Sequence, residues 1–129
     1  MREILFRGKG NPKYNTGEWH EGYLKKDNEG DFQICGSCWS RTVMPETVGQ
    51  YTGVTDRNGT KIFEGDIVKV YGATGKVKFE RAVVCWDDLF SGWRVDGGTL
   101  YGSKNAETYE IIGNIHDNPE MLNGSEAVK

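Results

Sequence analysis

Turn-forming residues recur along the whole chain at short intervals, and they constrain its fold more than any other feature. The 129 residues include 18 glycines, which is about twice the average usage of glycine. Residues that favour strands outnumber those that favour helices, with 41 Val, Ile, Thr, Phe, Trp and Tyr against 12 Leu, Ala and Met. This imbalance argues against a helix bundle and predicts short strands joined by turns.

Between the turns, apolar and polar residues alternate in the period-2 pattern of half-buried strands. The predicted strands are Glu3–Arg7, Glu18–Leu24, Asp31–Cys35, Val48–Thr52, Thr60–Phe63, Ile67–Tyr71, Lys76–Phe79, Ala82–Trp86, Leu89–Val95 and Thr108–Ile115. Asn58-Gly59 separates two of these runs and is the strongest short hairpin signal in the chain. We therefore expect a mainly β protein whose short antiparallel strands form a small, strongly bent sheet or roll.

The chain is long enough for one domain, and no Pro-rich linker divides it. We predict a single β domain over residues 1–122 and a polar, disordered tail over residues 123–129. Asn118 as N-cap and Pro119 as the first helical residue predict one short C-terminal helical turn just before that tail.

The net charge of −3 lowers the expectation of a protein whose main task is to coat nucleic acid. Basic residues do gather near the N-terminus, where Arg2, Arg7, Lys9 and Lys13 face only Glu3. We interpret them as a solvated strand edge, with a phosphate-binding patch as the alternative.

Several observations bear on the location of the protein. No apolar stretch reaches the roughly 18 residues of a membrane span, and the first residues lack the apolar segment of a signal peptide. The odd number of cysteines does not fit a secreted disulfide scaffold. We predict a cytoplasmic protein that does not interact with a membrane.

Cys35 and Cys38 form a CxxC motif, which has the spacing of half a zinc site. A structural zinc site needs two further ligands, and Cys85, His20 and His116 all lie far away in sequence. We therefore predict unpaired cysteines, no metal and no cofactor, with a zinc site and a redox dithiol as the alternatives.

The chain carries no GxSxG motif and no short-range pairing of Ser or Cys with His. Asp87-Asp88 follows an apolar run, so it could bind a divalent cation or act as an acid–base pair. A solvated turn that ends the strand is the simpler interpretation. We predict no catalytic residue and no enzymatic activity.

Most of the aromatic side chains are needed to fill the core of a small β domain. Trp39 is an exception, because it lies in a polar Gly-Ser-Cys-Trp-Ser segment close to Arg41. A loop Trp beside an Arg is a candidate for contact with a partner.

Several segments together form a recognisable pattern. They are Met1-Arg-Glu-Ile-Leu-Phe-Arg-Gly8, Glu18-Trp19 with Glu21-Gly-Tyr23, Pro45-Glu-Thr-Val-Gly-Gln-Tyr-Thr-Gly53, Asp56 with Asn58-Gly59, Lys61-Ile-Phe-Glu-Gly-Asp-Ile-Val68, Glu110-Ile-Ile-Gly-Asn-Ile115 and Asn118-Pro-Glu-Met-Leu122. In this order they closely resemble the YopX family of phage and prophage proteins, across residues 1–122. The stretch from Gly72 to Asn105 matches least.

The resemblance implies a mostly β fold, with a roll or barrel similar to SH3-type barrels. It implies a protein encoded by a phage or prophage and located in the cytoplasm of a bacterium. The family has no established biochemistry, so no catalytic residue is carried over. Among the residues of the pattern, Glu46, Gln50 and Asn114 either bond buried backbone groups or line a binding surface.

We accordingly expect a phage accessory protein of unknown activity that acts as a non-enzymatic binding or assembly module. Its partner would be a protein or a nucleic acid, and a homo-oligomer is compatible with the sequence. One alternative is a DNA- or RNA-binding β-barrel that uses the N-terminal basic residues, Arg41 and loop aromatics. A second alternative is a metal-dependent enzyme or zinc protein that uses Cys35, Cys38 or Asp87-Asp88.

Overall fold

The computed structural model of the protein describes residues 4–88, 92–95, 98–99 and 108–121. Its strands are β1 (Phe6–Lys9), β2 (Trp19–Lys26), β3 (Phe32–Cys35), β4 (Ser40–Thr42), β5 (Gly49–Thr55), β6 (Lys61–Phe63), β7 (Asp66–Tyr71), β8 (Val77–Val83), β9 (Cys85–Asp87), β10 (Gly92–Val95), β11 (Gly98–Thr99) and β12 (Thr108–Asn114). A one-turn 3-10 helix at Pro45–Thr47 precedes β5. The predicted class, mainly β with short antiparallel strands, is confirmed.

Within the described residues the strands form open sheets, which do not join into one closed barrel. No helix in this part of the chain has the length and apolar character that crossing a membrane requires. The predicted tail 123–129 lies outside the described residues. So do Arg2, Glu3, Leu122 and residues 89–91 of the predicted strand Leu89–Val95.

The chain forms two compact units, Met1–Tyr51 and Thr52–Lys129. In the first unit the strand order is β4-β3-β2-β1, and the start of β5 pairs with β1 through Gln50 and Gly49. Past the ends of β4 and β1, an isolated bridge joins Val43 to Gly10. The sheet therefore curls so that the ends of β1 and β4 meet at one corner.

Close backbone approach explains glycine on the inner face of this curled sheet. A Cβ placed on Gly8 would lie 2.9–3.1 Å from three side-chain atoms of Val43. Val43 and Ile34 are almost completely buried there. A larger residue at Gly8 would overlap Val43, so the curl depends on the missing side chain.

In the second unit, β6 lies beside β5, and two further sheets have the orders β12-β7-β8 and β11-β10-β9. Val68 and Val70 of β7 are buried in the core, and Ile67, on the other face of the strand, is fully buried as well. The buried core cluster of this unit consists of Ile62, Val68, Val70, Ala82, Val84, Val95 and Tyr109.

A bulge in β8 corrects one of the predicted boundaries. The sequence predicts two strands, Lys76–Phe79 and Ala82–Trp86, whereas β8 continues through the polar residues between them. Val70 pairs with Phe79 but Val68 pairs with Ala82, so β8 has one extra residue at this point. The extra residue interrupts the alternation of polar and apolar side chains. In the sequence, this interruption looks the same as the end of a strand.

Three hairpin loops use the same backbone arrangement. In each loop the first residue donates its N–H to the carbonyl of the fifth, and the fourth donates to the carbonyl of the first. The fourth residue is glycine in all three, with φ between 86° and 89°, a conformation that side chains other than glycine's rarely adopt. The loops are Asp27–Asp31, Asp56–Thr60 and Gly72–Lys76.

At the C-terminal side, the hydrogen bonds of Asn118 run in two directions. Its Oδ1 accepts from the N–H of Asn114 at 3.2 Å, and its carbonyl accepts from the N–H of Met121 at 3.0 Å. The side chain predicted as an N-cap therefore bonds back to β12. The short C-terminal helical turn stays a prediction, because it extends beyond the described residues.

Candidate interaction surface

The register of β1, β2 and β3 places one set of polar and aromatic side chains on the same face of the first unit's sheet. Residues directly opposite each other in antiparallel strands share a face. The opposite face carries Ile34, which is fully buried. We call the set that lies away from Ile34 the outer face. It comprises Arg7, Lys9, Trp19, Glu21, Tyr23, Lys25, Gln33 and Cys35.

Tyr23 is the most exposed large side chain of the outer face, with 68% of its surface accessible. Glu21 and Lys25 flank it along β2 and are also exposed. The residue opposite Tyr23 in β3 is the small Cys35. The tyrosine ring is thus held on a paired strand, with little beside it to cover it.

The basic side chains of the outer face outnumber the acidic ones, with three against one. The Cζ atom of Arg7 lies 4.7 Å from the centroid of the Trp19 ring, within the range of a cation–π contact. Arg7 lies opposite Glu21, and Lys9 lies opposite Trp19. The face therefore combines aromatic surface with basic side chains, of which Arg7 and Lys9 also make contacts within the protein.

The N-terminal basic residues singled out from sequence separate in the structure. Arg7 and Lys9 belong to β1, which pairs with β2 on one side and with β5 on the other, so the prediction of a strand edge is wrong and both residues lie on the outer face. Lys13 lies in the β1–β2 loop, where its Nζ is 5.4 Å from the ring centroid of Tyr14. Arg2 lies outside the described residues.

Trp39 and Arg41, predicted as a contact pair, are brought together at the end of the β3–β4 hairpin. The Cζ atom of Arg41 lies 5.8 Å from the Trp39 ring centroid, and its Nη1 donates to the carbonyl of Ser40 at 2.9 Å. The Trp39 ring lies against Gly36, and its centroid is 5.9 Å from that of His20. Trp39 is 37% exposed, so much of the ring packs within its own unit.

The three polar residues of the family pattern have different surroundings. Glu46 is exposed in the 3-10 helix, and Gln50 is half-buried in β5, opposite Phe6. Asn114 is in the second unit, where its Oδ1 accepts from the N–H groups of His116 and Asp117. Asn114 thus caps the turn after β12, while a binding role for Glu46, Gln50 and Asn114 stays a prediction.

All three cysteines lie among the described residues and are not joined by disulfides. Cys35 is on the outer face, whereas Cys38 is exposed in the β3–β4 hairpin. Neither belongs to a group of three or more metal-ligating side chains in the described part of the chain. A zinc role for this pair remains untested.

The acidic pair predicted as a solvated turn is partly engaged. Asp87 ends β9, and its Oδ2 lies 3.0 Å from Nη1 of Arg94. A different acidic group, formed by Asp27, Glu29 and Asp31, has its carboxylate oxygens within 4.8 Å of one another. Its geometry follows from the hairpin loop, because Oδ1 of Asp27 accepts from the N–H groups of the other two residues.

Sequence reasoning missed Tyr23 and Lys25 as surface residues. The available signal was the period of two along β2, which places Trp19, Glu21, Tyr23 and Lys25 on one side. The expectation that most aromatic side chains fill the core assigns Trp19 and Tyr23 to the interior instead. The register with β3, which links residues distant in sequence, was needed to show that this side faces away from Ile34.

Comparison with known proteins identifies a family and similar solved structures. A protein-family model described as YopX protein matches residues 6–123. The crystal structure of protein EF1440 from Enterococcus faecalis is similar to this chain, with a TM-score of 0.56 and 27% sequence identity. That similarity covers 95% of this chain and 99% of the other. No curated protein gives a match.

Proposed function

Because the chain belongs to the YopX protein family, we propose that it is a non-enzymatic binding module and that its outer face contacts the partner. The exposed ring of Tyr23 carries this proposal. Tyrosine is enriched among the residues that dominate binding energy at interfaces. The backbone that carries this ring is already ordered by strand pairing, so a partner does not have to order it, which lowers the cost of association.

The roles of several polar groups in the second unit support a binding function over a catalytic one. The side chains of Asp56, Asp66 and Asn114 each accept backbone N–H groups. Asp56 and Asp66 are buried while doing so. Such groups stabilise turns and strand ends, so their presence in the family pattern is explained by the fold.

The proposal includes a phage or prophage origin, a site of action in the bacterial cytoplasm and a roll similar to SH3-type barrels. The family resemblance supports these three points. Small β-rolls of this kind host many binding functions, so the step from fold to binding is an analogy. The exposed outer face supplies the specific feature that the analogy lacks.

Affinity purification of the full chain from phage-carrying bacteria tests the proposal. The outer-face variant is the double substitution Tyr23→Ala with Lys25→Gln. The matched control is Tyr14→Ala with Lys13→Gln, an exposed tyrosine and lysine in the β1–β2 loop. We expect one partner to co-purify with the wild type and the control and to be lost from the outer-face variant.

Circular dichroism checks that both variants are folded, and light scattering shows whether the partner is a second copy of the chain. Retention of the same partner by the folded outer-face variant would contradict the proposed surface. Turnover of a small molecule by the pure protein would contradict a non-enzymatic function.

A further inference from the structure

We propose that the outer face binds single-stranded nucleic acid. This inference rests on the proposed function and names the partner of the same surface. Tyr23 stacks on a base, and the basic side chains of β1 and β2 contact the phosphates on either side.

The stacking role of Tyr23 follows from its position and surroundings. Its ring is 68% exposed, and its cross-strand neighbour is the short side chain of Cys35. An exposed aromatic ring on a β-strand offers a π-face to any base, so binding of this kind tolerates many sequences. Stacking needs a base whose own face is free, which a single strand provides and a duplex does not.

The basic side chains supply the electrostatic part of the surface. Lys25 lies two residues beyond Tyr23 on the same side of β2, a separation of about 7 Å along the strand. Arg7 and Lys9 continue the positive charge onto β1. A row of cations beside an exposed aromatic ring is the combination that tracks the backbone and stacks the bases of single strands.

Glu21 is the acidic side chain of the outer face. Its substitution tests whether the partner is negatively or positively charged. Glu21 flanks Tyr23 on β2 and lies opposite Arg7. Phosphate groups near Tyr23 are repelled by its carboxylate. Neutralising Glu21 therefore strengthens binding, whereas the same change would weaken binding to a basic protein partner.

The overall charge of −3 limits the affinity expected for a nucleic acid. Because the chain as a whole is acidic, binding is weak, and because it depends on phosphate contacts it falls steeply as salt rises. With three phosphate contacts, the slope of log Kd against log salt concentration is about 2 for a single strand.

Fluorescence anisotropy with a labelled oligo-dT of about 12 nucleotides tests the inference, with a duplex of the same length beside it. We expect Tyr23→Ala to weaken binding about tenfold or more. Lys25→Gln should lower the salt slope by about 0.7, and Glu21→Gln should tighten binding. The control change Tyr14→Ala, at an exposed ring outside the outer face, should alter Kd less than about twofold.

Each outcome decides one point. Equal or tighter binding of the duplex overturns the single-strand assignment. Absence of binding to either oligonucleotide by folded protein, even at about 50 mM salt, overturns the nucleic-acid inference. If affinity purification then yields a protein that depends on Tyr23, the proposed function stands without this inference. If the purification also shows no dependence on Tyr23, both fail.

Discussion

At the scale of single residues, two aspartates occupy the same position in similar turns but accept different sets of hydrogen bonds. Oδ1 of Asp27 accepts from two N–H groups of its own hairpin loop, and Oδ1 of Asp56 does the same in the second loop. Asp56 adds a long-range bond, because its Oδ2 accepts from the N–H of Ile111 at 3.1 Å. Asp56 is also buried, with 7% exposure. Both aspartates therefore accept hydrogen bonds within their own turn, but only Asp56 also accepts one from β12.

Replacing these aspartates separates the two contributions. Asp56→Ala removes the turn bonds and leaves the Ile111 N–H without this acceptor, so we expect a loss of about 2–4 kcal/mol in the free energy of unfolding. Asp27→Ala removes turn bonds alone and should cost about 1 kcal/mol. Urea denaturation of both variants measures the difference. Equal costs would contradict the structural role assigned to the bond with Ile111.

Gly8 is required by packing, and a substitution tests this directly. Alanine suits a strand better than glycine, so Gly8→Ala would stabilise the protein if space allowed. Because the new methyl group would lie 2.9–3.1 Å from Val43 side-chain atoms, we expect a loss of about 1–3 kcal/mol. In a double-mutant cycle with Val43→Ala, the coupling should reach about 1 kcal/mol. Additive effects would show that Gly8 does not depend on Val43.

At the scale of elements, the three similar hairpin loops differ in the residue at their first position. The loops that begin with Asp27 and Asp56 have a side-chain acceptor for two backbone N–H groups, while the third begins with Gly72. A Cβ on Gly72 would meet its nearest neighbour, the carbonyl oxygen of Lys76, at an ordinary 3.8 Å. The third loop can therefore accept the aspartate that the other two already have.

We expect Gly72→Asp to stabilise the protein by about 1 kcal/mol or more, as the new carboxylate accepts the two N–H groups. Gly72→Ala is the control, since it gains only from the reduced freedom of the unfolded chain, about 0.5 kcal/mol. Thermal or urea denaturation measures both. If aspartate stabilises no more than alanine, side-chain capping is not what distinguishes the loops.

Strands with a regular period could be predicted from sequence, and irregular ones could not. The predicted strand Ile67–Tyr71 lies within β7, and Asp31–Cys35 contains β3. In contrast, the sequence predicts no strand at β4, whose three residues are polar and show no apolar alternation. It forms because β3 offers its backbone groups, a cause that lies outside the residues of β4.

At the scale of the whole molecule, the sequence predicted the family and the fold class but not the surface. The family pattern runs through glycines and core residues that any relative needs to fold. The outer face arises when β1, β2 and β3 are placed in register, and its most widely separated pair, Arg7 and Glu21, lies 14 positions apart in sequence. Pairing of this kind depends on turn geometry and on which face is buried, and the second of these is known only from the folded sheet.

The central claim is that the outer face of the first unit is the binding surface. Titrating isotope-labelled protein with oligo-dT, while following each backbone amide by NMR, tests it most directly. We predict that the largest shift changes fall on Tyr23, Lys25 and their neighbours in β1 and β3, and that Tyr23→Ala abolishes them. Changes centred on the second unit, or on the loop around Tyr14, would contradict this claim.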